Sequence, residues 1–257
     1  MKIQKIMLFL LITSTSLFGC QKSTEKVDST PMNVDNADTN IDRYKIAQKN
    51  NLSIKNFSLI NKFSSYTNEN GIQIKMNYNV EGANSEKVKT ENSYSLLNES
   101  GQSIMDTNYW YNGNYELVDD GDIRQKKETK PGMINKEIQT MLSSSFVSLD
   151  NINENMIQKN SDRYNIKLTI DNKGIIEKIL KSIEATTDDS NKMIIEKVNK
   201  FNISYVIQDN YIIEENIVFD VISEGNRIKG NNLVKFNPIC PKLNFPKNID
   251  KFEEVRD

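Results

Sequence analysis

The 257 residues carry 33 Lys and Arg against 35 Asp and Glu, for a net charge of −2, and they include no His. That balance leaves no basic excess to hold nucleic acid, and the missing imidazole removes the commonest general base and the commonest metal ligand. Apolar residues make up 37% of the chain. That is too few for a thick core, so the expected build is one curved sheet with an apolar face and a wet face.

The chain opens on MKIQKIMLFLLITSTSLFGC. Lys2 and Lys5 form a positive end, and residues 7–12 are an unbroken apolar run too short to span a bilayer as a mature helix. Small polar residues then lead to Leu17-Phe18-Gly19-Cys20. The pattern resembles the lipobox of bacterial lipoproteins, in which the Cys is diacylated and becomes the mature N-terminus. An ordinary signal peptide and an uncleaved anchor are the alternatives. The resemblance implies a signal peptide over 1–19 and a palmitate-type lipid anchor on Cys20. It also places the protein on the extracytoplasmic face of the cell membrane, held there by acyl chains. With Cys20 acylated, Cys240 has no intramolecular partner, and the exported chain lacks a disulfide framework.

Residues 20–40 are polar and bury too little to fold. They are expected to form a tether that reaches on the order of 60–70 Å when extended. Residues 41–257 then form a single β-rich domain. A helix is predicted over 41–51, capped by Thr39 or Asn40, with Ile41, Tyr44 and Ala47 or Gln48 near one face. From Ile54 to Tyr66 the pattern is strand-like but irregular. Ile72, Ile74, Met76, Tyr78 and Val80 alternate with polar residues, the mark of a half-buried strand. Asn70-Gly71 is expected to be the hairpin turn before it.

Further strands are predicted over 86–97, 103–111, 115–118 and 123–128, with turns at Asn112-Gly113 and Asp120-Gly121. An up-and-down meander is the natural topology. Pro131 opens a helix carrying Met133, Ile134, Ile138, Met141 and Leu142. A strand over 164–170 and a helix with Ile175, Ile176, Ile179, Leu180 and Ile183 inward come next. Strands over 192–207, 211–222 and 226–236 close the meander, and a Pro-rich end packs along an edge or rim.

Candidate chemistry is sparse. Asp119, Asp120 and Asp122 surround Gly121, but Asp-Gly is a preferred turn pair and no calcium-loop spacing follows. Asp188-Asp189 and Glu214-Glu215 read as solvated. Ser143-Ser144-Ser145 has no His and no nucleophile elbow, and Cys240 reads as a small apolar residue. No cofactor, metal site or catalytic residue is expected, and the chain does not read as an enzyme. Tyr109-Trp110-Tyr111 is the most suggestive run. On a strand, Trp110 points opposite its two neighbours, and the run forms either ordinary packing or a ligand wall. Tyr78, Met76, Met133, Met141 and Phe201 are candidates to share that wall.

The order of elements resembles the LolA/LppX-like lipoprotein-carrier fold, and most of all the uncharacterised Gram-positive lipoproteins built on it. The stretches carrying the likeness are residues 109–115 (YWYNGNY), 203–209 (ISYVIQD) and 243–246 (LNFP). The resemblance implies an α+β, mainly antiparallel fold. A strongly curved open half-barrel sheet would hold about three helices on its concave side. A hydrophobic ligand, a lipid or acyl chain, would bind without catalysis between sheet and helices. The implied cavity is lined by Met76, Tyr78, Tyr109, Trp110, Met133, Ile134, Ile138, Met141, Ile176, Ile179, Ile183 and Phe201. The alternative is an envelope interaction or scaffold lipoprotein with a filled core, binding a protein or cell-wall partner.

Overall fold

Period-two alternation broken by Gly and Asn turns builds most of the molecule. The computed structural model describes residues 30–67, 70–147, 152–162, 164–183 and 194–255. The expected signal peptide, Cys20 and Asp188-Asp189 lie outside the described residues.

Among the described residues eleven strands make one sheet. They are β1 (Phe57–Thr67), β2 (Asn70–Glu81), β3 (Lys89–Leu97), β4 (Ser103–Tyr111), β5 (Tyr115–Asp119), β6 (Arg124–Glu128), β7 (Asn165–Thr169), β8 (Ile195–Gln208), β9 (Tyr211–Ser223), β10 (Asn226–Asn237) and β11 (Glu253–Glu254). Among the described residues three α-helices accompany them: α1 (Asn40–Ser53), α2 (Pro131–Ser145) and α3 (Lys173–Ile183). The strand order is β11-β6-β5-β4-β3-β2-β1-β10-β9-β8-β7. Every pairing is antiparallel except that of β11 with β6. Two meanders are thus joined where β1 meets β10. The result is the α+β architecture expected, a curved, open, mostly antiparallel sheet with helices against it.

The turns follow local chemistry. Asp209 (φ 50°) and Asn210 (φ 71°) join β8 to β9, and Glu224 (φ 50°) and Gly225 (φ 72°) join β9 to β10. Both turns put two consecutive residues at positive φ, as a tight hairpin requires. The expectation for Asn70-Gly71 is corrected. Asn70 pairs with Thr67 and Gly71 with Tyr66, so both already belong to β2. Gly71 is there for space, since a Cβ on it would lie 2.4 Å from the Tyr66 ring.

Gly230 is the stricter case. A Cβ there would meet Phe219 Cζ at 2.2 Å and the Ser64 carbonyl oxygen at 2.6 Å. Gly230→Ala should therefore cost roughly 1–3 kcal/mol, read as a lower urea midpoint at unchanged slope. An unchanged midpoint would mean that the Phe219 ring and the β1 backbone give way freely.

Thr39 caps α1, accepting from the Asp42 amide at 3.1 Å. Residues 32–37, expected to belong to a tether, pack on the domain. Val34 is buried and its amide donates to Asn210 Oδ1 at 3.0 Å, while Met32 exchanges hydrogen bonds with Asn50. The buried Val34 side chain and the buried Asn50 amide, which also donates to the Asn210 carbonyl at 2.8 Å, seat that stretch on the hairpin between β8 and β9.

The core lies where α1, α2 and α3 meet the sheet. Ile41, Tyr44 and Ala47 of α1, Ile134, Ile138 and Leu142 of α2, and Ile176, Ile179 and Leu180 of α3 pack against Ile166, Leu168, Phe201, Ile203, Ile217, Phe219, Val234 and Phe236. Asn51 of α1 bonds both the amide and the carbonyl of Ile212, which fixes α1 to β9.

Candidate functional site

Register places side chains on the helix-bearing face in rows across the strands. One row is Phe57, Val80, Thr90, Tyr111, Glu116 and Lys127 from β1 through β6. The next is Phe236, Leu59, Tyr78, Asn92, Tyr109 and Val118. Then come Val234, Asn61, Met76, Tyr94 and Thr107, and then Asn232, Phe63, Ile74, Leu96 and Met105. Burial thins across this grid. From β7 to β10 the face is sealed by helices, whereas Phe63, Ile74, Met76, Tyr78, Tyr94 and Tyr109 are only half-buried. This half-open aromatic and apolar floor on β1 to β4 is the candidate site.

Neighbouring protein shifts the ionisable groups of this floor. Burial pushes the Tyr78 hydroxyl up to about 12, helped by Tyr94. Burial does the same to Tyr109, also to about 12, with Glu116, Tyr78 and Tyr94 adding to it. At the edge stand two carboxyls. Glu137 of α2 reaches solvent, yet the protein around it and the nearby Glu116 raise it to about 7, against the pull of Lys127. Burial raises Glu116 as well, with Lys127 opposing. Tyr78 donates to Met76 Sδ at 3.3 Å, a weak acceptor that leaves the phenol available to a better one.

The residues singled out in the sequence divide into groups. Met76, Tyr78 and Tyr109 lie on the half-open floor, and Met141 is half-buried against the core beside it. Ile134, Ile138, Ile176, Ile179 and Phe201 are buried in the filled core. Met133 is 47% exposed. Trp110 points to the opposite face, where its indole N–H donates to the Asn244 carbonyl at 3.0 Å. It cannot share a wall with Tyr109. The side chain of Ile183 lies outside those described. Phe63, Ile74, Tyr94, Glu116 and Glu137 were missed. Tyr94 had a signal, since it shares a face with Leu96 and stands between Ser93 and Ser95, but the polar Thr90 and Asn92 on that same face masked the period.

Glu215 corrects the solvated reading. It is fully buried on β9. Its Oε2 accepts from the Val147 amide at 3.1 Å and lies 3.5 Å from the Tyr44 hydroxyl, while Oε1 has no partner. The Tyr44 hydroxyl donates to the Val147 carbonyl at 2.7 Å, and its ring packs on Tyr205 at a centroid distance of 4.2 Å. Burial holds the Glu215 carboxyl up at about 8. This cluster ties α1, the end of α2 and the sheet together.

The other polar runs have structural uses. Asp120 accepts from the amides of Asp122 and Ile123, and Asp119 from that of Gly121, so these carboxylates hold their own turn. The hydroxyls of Ser143, Ser144 and Ser145 bond helix carbonyls one turn back. The Cys240 thiol is raised to about 11, chiefly by burial.

The fold defines a class, the open α+β half-barrel with helices on one face. No family model and no curated protein matches the chain. Among solved structures it is similar to the crystal structure of LprF from Mycobacterium bovis, at 7% identity and a TM-score of 0.38, over 81% of this chain and 96% of that one. A likeness that distant carries no argument about ligand or activity.

Proposed function

We propose that the chain is an extracytoplasmic lipoprotein, anchored through Cys20, that holds a hydrophobic ligand without chemistry. The ligand lies on the half-open floor of Phe63, Ile74, Met76, Tyr78, Tyr94 and Tyr109. The observation that supports this is the thinning of burial on a face that is otherwise sealed. An apolar wall left half-wet gains about 0.8 kcal/mol for each CH₂ a ligand buries on it. The resemblance of the element order and of residues 109–115, 203–209 and 243–246 to the lipoprotein-carrier fold points the same way. The ligand site is smaller than the one the sequence suggested, because α1 and α3 fill the rest of the concavity.

Native mass spectrometry of the chain purified without detergent tests the reading. The expected result is a discrete added mass that extracts as a lipid. Met76→Glu should remove it, since burying an unpaired carboxylate under an acyl chain is costly. A chain that stays empty when challenged with membrane lipid would overturn the reading. The second reading, an envelope interaction protein, draws support from the filled core under α1 and α3 and from Ile104 and Ile123, which are 65% and 50% exposed near one end of the sheet. It would then take precedence.

A further inference from the structure

The face opposite the helices has a cleft of its own. The C-terminal segment crosses it and ends as β11, which pairs with β6 at Gln125 and Lys126. The crossing is held by two bonds at Asn244. Its carbonyl accepts from Trp110 Nε1 at 3.0 Å, and its amide donates to Glu91 Oε2 at 2.9 Å. Between the tail and the sheet lies a space of about 250 Å³ lined by Trp110, Asp119, Arg124, Phe245, Asn248 and Phe252, among others. The Asp119 carboxylate pairs with Arg124 Nε at 2.9 Å, with Asp119 mostly covered and Arg124 half-exposed.

We propose that this cleft binds a single uncharged sugar ring at the end of, or along, a glycan. The volume sits below the roughly 300–1,000 Å³ typical of drug-sized ligands, which suits one ring with the remainder running over the surface. A pyranose has an apolar C–H face and a hydroxylated rim. The indole of Trp110 matches the first, as an apolar body whose N–H is already engaged. The Arg124 guanidinium and the Asn248 amide match the second, a planar set of donors and an acceptor, with Asp119, whose oxygens hold Arg124 Nε and the Gly121 amide, fixing Arg124 in advance. Because the carboxylate and guanidinium neutralise each other, the pair sets no demand for a charged ligand. A nucleobase would need a phosphate-binding groove as well, and Arg124 and Lys247 are the only cations among the lining residues.

The test uses the one Trp of the chain. Intrinsic fluorescence of the full chain is titrated with chitotriose and, separately, with maltotriose. The expected result is a saturable change with one of them at a Kd of about 1 mM, the range of a single-ring contact. Asn248→Ala, which removes a side chain that caps nothing in its turn, should weaken binding roughly tenfold. Asp119→Asn should do the same, with circular dichroism confirming the fold. Silence toward both sugars up to about 50 mM, well beyond that Kd, would overturn the proposal. So would a fluorescence change whose affinity neither substitution moves. Trp110 faces away from the aromatic floor, so the two ligand proposals stand or fall separately.

Discussion

Glu215→Gln should hold its melting temperature nearly level from about pH 5 to pH 9, while the unsubstituted chain loses stability across that range. The carboxyl ionises at 4.5 in the unfolded chain but keeps its proton to about 8 when folded. Between those values the unfolded state binds fewer protons, so stability falls as pH rises. It is whole below pH 4.5 and fully lost above about 8. The full interval corresponds to up to about 5 kcal/mol. On a domain of this size that is of order 10 °C. The groups facing Glu215 are Tyr44 and Tyr205, both held well above their ordinary range by burial, so neither supplies a cation nor titrates first. Gln keeps the acceptor for the Val147 amide and removes the ionisation. Parallel melting curves for the two proteins in circular dichroism would show that the fall belongs to other groups. Glu137 shifts in the same direction, but it reaches solvent and carries less weight.

The second large effect separates core from groove. Phe201 is buried to 1% exposure and stacks on Phe219 at a centroid distance of 6.4 Å. Phe201→Ala should cost about 3–5 kcal/mol. Tyr94→Ala, on the half-open floor, should cost roughly 1 kcal/mol or less, since solvent and neighbours already share its ring. The order should reverse for lipid retention, with Tyr94→Ala losing bound mass and Phe201→Ala keeping it wherever it still folds. Chemical denaturation and native mass spectrometry of both variants decide it. Equal retention in both would place the ligand elsewhere.

Local pattern carried much of the architecture. The run from Ile72 to Val80 announced β2 because every second residue is apolar and the intervening ones are polar. The amphipathic stretch after Gly174 announced α3 for the same reason at a different period. β1 was blurred because Asn61 occupies a position on the helix-bearing face between Leu59 and Phe63, breaking the apolar alternation. Glu215 misled for a related reason. Two adjacent Glu look solvated, but a strand sends neighbours to opposite faces, so one of any such pair can be driven inward. The division of the candidate wall into core and floor was not legible at all. It depends on which strands lie under the helices, and that follows from β1 pairing with β10, a contact no local window contains.

That pairing also sets the order of assembly. Register joins Ser58 to Asn237 and Thr67 to Ile228, so the seam between the two meanders closes a loop that holds most of the chain. Loop-closure entropy must be met before the seam yields any enthalpy, and chains of high contact order fold slowly for that reason. Each meander can form as soon as its own hairpins exist. Until the last of β10 is available, however, β1 offers an unpaired edge to any neighbour. A chain built this way depends on staying dilute, or chaperoned, until β10 arrives.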